Sequence, residues 1–434
     1  MDVTATPDDP ACPEPHALAQ ALAGPPALVP GTQLLGPYQD GAYEQQRYMV
    51  RRADGQVLLV SAALYAIISH LDGSSDLAVI ADAVSSDLGR TIDTTTLDTV
   101  IGSRLRPLGV VAGGDHTTVG ARRQLLGLTL RCTLIPERAV RRIGRILAPL
   151  FHPVLVAYSL VALIGLDIWF FSSQSVIHDL VTVVGDPRLM AALLGIYVGA
   201  ALFHESGHAA AAVRGGADPG RIGMGIYVVI PAFFTDVSDT YRLDRVGRLR
   251  TDLGGVYFNV LLAAVLGAVT AATGSPLAGI GFALTQLAMM EQLLPLVRLD
   301  GYFVLSDLVG VPDLFARVRP SVRALLWRRH HEPPAGGLRA RAAAIVLAWT
   351  LVVYPALLAL LVLLFVRLPM VVRTSWRSVR AEWSMELTAL AHAHLASAAV
   401  LAVGLVALCV PFIGVGILAL RSTGSVVRSV IRRL

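Results

Sequence analysis

Two histidines and a glutamate near the middle of the chain form the pattern with the clearest chemical meaning. His204, Glu205 and His208 lie within the stretch HESGH. A helix turns once every 3.6 residues, so the two imidazoles share one face and can reach a single ion. In this arrangement the imidazoles bind Zn²⁺ and the carboxylate acts as a general base on water. The pattern therefore predicts His204 and His208 as metal ligands and Glu205 as the catalytic residue.

A catalytic zinc site usually has three protein ligands and one open position, so a third ligand is needed. Asp300 follows an apolar stretch about a hundred residues further along the chain, with Pro295 and Gly301 beside it. These two residues can break a helix and turn the Asp300 carboxylate inward. The alternatives are that Asp300 ends a helix and faces water, or that Glu291, which has no helix break beside it, is the ligand. We predict Asp300 as the third ligand.

The HESGH stretch lies inside an apolar run that is long enough to cross a bilayer. Of the 434 residues, 54% are hydrophobic and only 15% are charged, whereas a soluble protein has about 25% charged residues. A spanning helix needs about 20 apolar residues, and charged groups inside a bilayer are costly enough to indicate function. The sequence predicts a mainly helical, polytopic membrane protein with HExxH in the second of about six spans. These are Leu150–Phe171, Met190–Val213, Leu253–Ala272, Leu277–Val297, Ala342–Val366 and Leu395–Leu420.

The chain before the first span has a different pattern of apolar residues. Apolar residues alternate around an Asp-Gly turn between Gln46 and Val60, which predicts a hairpin, and three segments with helical spacing follow. A small α+β domain of the winged-helix kind fits this order. The predicted divisions are a disordered lead-in (1–30), the small domain (31–114), a basic juxtamembrane segment (115–146), the membrane core (147–310), a cytosolic loop (311–341) and a C-terminal transmembrane pair with a basic tail (342–434).

Arginine-rich segments flank the apolar runs and predict the topology. They precede the first span, follow the second and fourth, and end the chain, so both termini should be cytoplasmic in a multi-pass protein of the cell membrane. Juxtamembrane arginines also favour anionic lipid headgroups, so the bilayer itself is an expected partner. The net charge of only +5, with arginines placed beside apolar runs, does not indicate nucleic-acid binding. Three scattered cysteines exclude a disulfide framework and a CxxC zinc site.

Two separated motifs, HESGH at 204–208 and LDG at 299–301, resemble those of the site-2 protease class of intramembrane zinc metallopeptidases. The resemblance covers roughly residues 190–310. In that class the two histidines and the aspartate of the LDG motif bind zinc, and the glutamate activates water. The resemblance therefore implies that this chain is a zinc endopeptidase with His204, His208 and Asp300 as ligands and Glu205 as the base.

Further stretches bear on substrate binding. Residues 222–234 lie where that class has a membrane-associated β-hairpin, and such an edge, including Ile226 and Val228, could pair with an extended peptide; an ordinary amphipathic loop is the alternative. Asn259 lies in a stretch similar to the Gly-Pro…Asn segment of the class, although valine stands where proline is expected. It could hold substrate backbone or bond another helix. Asp236 is either solvated or in contact with substrate.

The small N-terminal domain resembles the PqqD-like leader-recognition domain, through its hairpin, Leu71-Asp72-Gly73 and the helices around them. This resemblance implies an enzyme that removes the leader of a ribosomally made precursor peptide, as do the intramembrane metalloproteases of daptide-type biosynthesis. Two alternatives stay open. One is a protease of the same chemistry that releases a membrane-anchored, single-span regulator. The other is a non-catalytic peptide exporter or scaffold with a structural metal site.

Overall fold

A computed structural model describes residues 25–53, 56–112, 128–227, 230–326 and 337–391. The chain divides into two compact units. The described part of the first comprises residues 25–38 and most of 45–112, and that of the second comprises residues 39–44 and the described residues from 128 onward. The prediction of a mainly helical chain with a small sheet-containing region near the N-terminus is confirmed.

The first unit contains the predicted hairpin and helices. Strands β1 (Gln33–Pro37), β2 (Arg47–Arg51) and β3 (Val57–Ser61) form an antiparallel sheet in that order. Helices α1 (Ala62–Ser69), α2 (Leu77–Leu88) and α3 (Thr94–Val100) follow, and a π-helical turn extends the last to Leu105. The side chains of Ser61, Asp76 and Asp93 cap the three helices at their N-termini.

The hydrophobic core of this unit lies between the sheet and the helices. It includes the side chains of Val50, Ile68, Leu71, Ile80 and Leu97, which are almost completely buried. The predicted helical spacing accounts for Ile68, Ile80 and Leu97, because it places apolar residues on one face of each helix. Val50 lies on β2, and Leu71 follows α1.

Two boundaries of the small domain differ from the prediction. Ala27 and Leu28, predicted as part of the disordered lead-in, bridge to Asp72 and Val111, respectively, so the ordered domain begins before residue 30. Residues 39–44, predicted as part of the small domain, group with the second unit. There Ala42 donates a backbone hydrogen bond to Gly310 and accepts one from Arg339.

In the second unit the structure has four helices that are long and apolar enough to cross a membrane, counted over the described residues: Pro153–Ser173, Arg188–Gly215, Gly254–Thr273 and Ala340–Leu360. They match four of the six predicted spans, and HESGH is on the second. The predicted fourth span is a helix, Pro276–Leu293, but Gln286, Glu291 and Gln292 make it too polar to count with the others. The predicted sixth span lies outside the described residues.

The helices of this unit run in the order α4 (Glu137–Leu147), α5 (Pro153–Ser173), α6 (Val176–Gly185), α7 (Pro187–Gly215), α8 (Arg245–Asp252), α9 (Gly254–Thr273), α10 (Pro276–Leu293), α11 (Asp300–Val309), α12 (Leu314–Leu326) and α13 (Ala340–Ala391). An apolar core that includes Phe170, Ala210, Phe258 and Phe282 joins α5, α7, α9 and α10. Helix α13 continues without interruption past Val366, where the predicted span ends.

A three-stranded antiparallel sheet lies beside these helices. Strands β5 (Ile222–Tyr227) and β6 (Ile230–Thr235) form the predicted hairpin, and β4 (Leu128–Ile135) adds to the other side of β5. The segment that contains β4 was predicted only as a basic flank. The alternation of leucine with polar residues in LTLRCTLI is a strand signal, although the surrounding arginines indicate a basic flank.

Candidate metal centre

Helix α7 carries the HESGH stretch in a tightly packed environment. His204, Glu205 and His208 have relative exposures of 5%, 8% and 9%, respectively. Histidine and glutamate are expensive to bury in an apolar helix unless they are paired or bind a metal. The helix runs through all three residues without a break, so the predicted spacing of the two histidines on one face is confirmed.

Asp300, the first residue of α11, brings its carboxylate to the two imidazoles. Its Oδ2 lies 3.2 Å from Nε2 of His204, and its Oδ1 lies 3.5 Å from Nε2 of His208. The two Nε2 atoms are 3.2 Å apart. One ligand atom from each of the three residues lies within 4.8 Å of the others, and no second such cluster of His, Cys, Asp and Glu occurs among the described residues.

This geometry fits a divalent metal ion. Zinc bonds of about 2.0–2.1 Å in a tetrahedral arrangement separate the ligand atoms by roughly 3.3 Å, which is close to the observed 3.2–3.5 Å distances. Two imidazole nitrogens and a carboxylate are also a donor set that zinc commonly uses.

The proton on His208 has a defined place. Nδ1 of His208 lies 2.8 Å from the backbone carbonyl oxygen of Thr251. Because a carbonyl can only accept a hydrogen bond, Nδ1 carries the proton and donates it. Nε2 of the neutral ring is then unprotonated and points at the other two ligands, which is the tautomer that metal-binding histidines adopt when an outer partner orients them.

Two glycines let helix α9 approach the site. A Cβ atom on Gly255 would lie 2.4 Å from ring atoms of His204 and 2.5 Å from Nε2 of His208. A Cβ on Gly254 would lie 2.7 Å from the backbone oxygen of Gly207, the residue before His208. Helix α9 therefore packs directly on the ligands, and only glycine leaves the required space.

The other predicted site residues have different surroundings. Glu291 is exposed on α10 and does not join the cluster, so the choice of Asp300 over Glu291 agrees with the geometry. Asn259 is buried, and its side-chain amide donates a hydrogen bond to Gln292 on α10 at 3.2 Å. This contact favours the interpretation of Asn259 as a residue that bonds another helix, and its contact with substrate stays a prediction.

The predicted contacts on the hairpin need a correction. Ile226 lies on the middle strand, where its main chain pairs with Thr129 of β4 and Pro231 of β6, so it cannot accept an added substrate strand. Among the described residues, β4 and β6 are the two outer strands of this sheet, so an added strand could pair with either of them. Val228 lies outside the described residues. Asp236 is exposed, and its carboxylate accepts hydrogen bonds from the amide and hydroxyl of Ser238, so it caps a turn.

Three contacts at the site were not predicted. Thr251 orients His208, Gly255 makes room for the histidine rings, and the hydroxyl of Thr235 on β6 donates to the Glu205 carboxylate. The glycine pair in an apolar span was a signal for close helix packing. Neither threonine carries a signal in the sequence, because each acts through a contact between distant elements.

A buried ion pair connects two of the elements that surround the metal centre. Nε of Arg248 on α8 lies 2.9 Å from Oδ1 of Asp307 on α11, and Arg248 is only 1% exposed. Asp252 is the last residue of α8. Burial raises the pKa of its carboxyl group well above the usual range, and the nearby Asp307 raises this pKa further. The Arg248–Asp307 pair thus joins the helix that ends beside Thr251 to the helix that begins with Asp300.

Comparison of the chain with family models, with curated proteins and with solved structures found no significant match in any of the three.

Proposed function

We propose that this protein is an intramembrane zinc endopeptidase. The observation that carries the proposal is the convergence of His204, His208 and Asp300 from two separate helices, with Glu205 buried beside them. In the part of the chain that the structure describes, four helices suited to crossing a membrane accompany this site, which supports a location within a multi-pass membrane protein. The arginine-rich flanks support cytoplasmic termini in the cell membrane.

Three residues would hold the ion, and a fourth would move protons. When bound, Zn²⁺ would act as a Lewis acid and make a water molecule nucleophilic near neutral pH. Glu205 accepts a proton from the attacking water and then donates it to the amine that leaves the cleaved peptide bond. The buried setting excludes bulk water around these groups, so charge interactions at the site are stronger than in solution.

The number of ligands favours catalysis over a structural metal site. Structural zinc sites are closed by four protein ligands, whereas catalytic sites keep one position open. Among the described residues, three side chains converge here. A non-catalytic exporter or scaffold with a structural metal site is therefore the weaker interpretation.

The substrate we propose is a membrane-associated or ribosomally made precursor peptide that binds in extended form. The open edge of β6 can add a strand through main-chain hydrogen bonds, which would expose the peptide carbonyls for attack. An α-helical substrate must unwind first, because its carbonyls are engaged within the helix. The first unit, a hairpin-containing sheet with three helices, supports leader recognition, and release of a single-span regulator is the alternative.

The proposal predicts that Glu205→Gln retains zinc and loses cleavage. The ligands are intact in this variant, but the group that transfers protons is missing, so the rate should fall by about 10²–10⁴-fold. Zinc is measured by elemental analysis of the detergent-purified protein. Cleavage is measured with fluorescently labelled β-casein, an unfolded protein, and with synthetic single-span peptides.

The matched control is Glu137→Gln, the same substitution at an exposed position of α4, which should leave both zinc and cleavage unchanged. Wild-type protein that purifies without zinc, or a Glu205→Gln variant that cleaves at the wild-type rate, would remove the basis of the proposed mechanism.

A further inference from the structure

The side chain of Thr235, the last residue of β6, reaches Glu205 on helix α7. Its Oγ1 lies 2.7 Å from Oε2 of Glu205 and 2.9 Å from the backbone carbonyl oxygen of the same residue. The backbone carbonyl oxygen is a hydrogen-bond acceptor, and so is each oxygen of an ionised carboxylate, so the Thr235 hydroxyl is the donor in both contacts. A hydrogen bond to an ionised acceptor is roughly twice as strong as one between neutral groups, so the contact to the carboxylate should dominate.

Glu205 depends on this contact for its orientation. The residue is 8% exposed, so water cannot satisfy its carboxylate freely. Among the described residues, the hydroxyl of Thr235 is the side-chain donor that the structure places on it. A glutamate side chain has three rotatable bonds, and a general base must be held within hydrogen-bond reach of the proton that it accepts.

Thr235 is itself held firmly. It pairs across the hairpin with Ile222, which is completely buried against Val140 and Ala209. Ala209 directly follows the ligand His208 on α7. Beyond Thr235, backbone hydrogen bonds of 2.7 Å and 3.0 Å join Asp236 to Gly220 and Arg221 and close the base of the hairpin. The base of the sheet is therefore fixed to the helix that carries the site.

We propose that Thr235 is a positioning residue that holds the Glu205 carboxylate in the orientation needed for proton transfer. This inference rests on the proposed peptidase function, and it goes beyond it by connecting the base to the sheet. Because β6 is also one of the two outer strands on which a peptide could add, one strand would align both the substrate and the proton acceptor.

Two substitutions separate the hydroxyl from the rest of the side chain. Thr235→Val removes the hydroxyl and keeps the shape, whereas Thr235→Ser keeps the hydroxyl. We expect Thr235→Val to lower kcat on labelled β-casein by about 10–100-fold, by analogy with the loss of an outer partner of a metal ligand, with KM and zinc content close to wild type. Thr235→Ser should keep most of the wild-type kcat.

The matched control is Thr133→Val on β4, which removes a hydroxyl from the opposite side of the same sheet and should leave kcat unchanged. A second measurement does not depend on cleavage. Acetohydroxamic acid binds zinc and transfers a proton to a neighbouring base, so its affinity reports the placement of Glu205. We expect Glu205→Gln and Thr235→Val each to weaken its binding, and the double variant to bind no more weakly than Glu205→Gln alone.

The outcomes distinguish the two proposals. If Glu205→Gln is inactive but Thr235→Val matches the wild type in kcat and hydroxamate affinity, the positioning role is wrong and the peptidase proposal stands. A Thr235→Ser variant as impaired as Thr235→Val, loss of zinc in Thr235→Val, or additive effects in the double variant would likewise overturn the role of the hydroxyl. If Glu205→Gln cleaves like the wild type, both proposals fail.

Discussion

A single backbone carbonyl determines which nitrogen of His208 can bind a metal ion. The backbone carbonyl oxygen of Thr251 accepts a hydrogen bond from Nδ1–H of His208, so Nε2 faces His204 and Asp300. The three ligand atoms then lie at separations that suit zinc without any movement of the chain. At the scale of residues, groups outside the three predicted ligands hold the cluster in this arrangement.

Replacing Asp300 tests the third ligand. An amide oxygen is a poorer zinc ligand than a carboxylate, so Asp300→Asn should lower zinc affinity by at least about tenfold, the lower limit for loss of an outer partner. Titration of the metal-free protein with zinc against a competing chelator measures the affinity. Glu291→Gln, on the exposed face of α10, should bind zinc like the wild type. The reverse result would make Glu291 the ligand.

Gly255 should tolerate no side chain. The methyl group of Gly255→Ala would lie 2.4 Å from the His204 ring, so either the ring or helix α9 must shift. Overpacking of this kind costs about 1–3 kcal/mol, and we also expect a lower zinc affinity. Thermal unfolding in detergent and zinc titration measure the two effects.

The control for Gly255→Ala is Gly199→Ala on α7. A Cβ at Gly199 meets nothing within 4 Å, so this change should be neutral or should stabilise by up to about 1 kcal/mol through helix propensity. Equal behaviour of the two alanine variants would show that α9 does not confine the histidine rings.

At the scale of elements, the short helix α8 links the parts of the metal centre. Thr251 near its end orients His208, and Arg248 in its middle pairs with Asp307 on α11, the helix that begins with Asp300. The sequence predicts this segment only as an arginine-rich loop after the second span. Arg248 differs from the other arginines of that loop because it is buried, which the pattern of charges does not reveal.

Breaking the Arg248–Asp307 pair should destabilise the protein. Removal of one partner of a buried ion pair costs about 3–5 kcal/mol, because the other charge stays buried and unpaired. We therefore expect Arg248→Met to unfold at a lower temperature and to bind zinc less tightly. The double variant Arg248→Met/Asp307→Leu should recover most of the stability, since an apolar pair can replace a buried ion pair. Wild-type stability of Arg248→Met would show that the pair contributes little.

At the scale of the whole molecule, the proposed topology predicts that the two ends of the first apolar helix face opposite sides of the membrane. Cys132 is exposed on β4, before the first of the apolar helices. If the N-terminus is cytoplasmic, a membrane-impermeant maleimide should label Cys132 in inverted vesicles and not in right-side-out vesicles, with the other two cysteines replaced by serine. Ser173→Cys at the far end of α5, in a background without Cys132, should show the opposite pattern. Labelling of both positions from one side would contradict the topology.

The sequence by itself determined what depends on neighbours along the chain. The spacing of His204 and His208 within one helix, the apolar length of the spans and the alternation of the 222–234 hairpin all follow from local periodicity. The breaks at Pro295 and Gly301 were enough to favour Asp300 over Glu291, although they could not place its carboxylate.

Tertiary structure alone decided which distant groups meet. Three contacts join elements that meet only through packing: Thr235 with Glu205, Thr251 with His208, and Gly255 with His204. The residue types at these positions do not predict the contacts. Likewise, β4 pairs with β5 across almost a hundred positions, which makes β5 the middle strand and β4 and β6 the outer strands of the described sheet. Local spacing fixes the direction of a side chain on its own element, whereas its partner is fixed only when the elements pack.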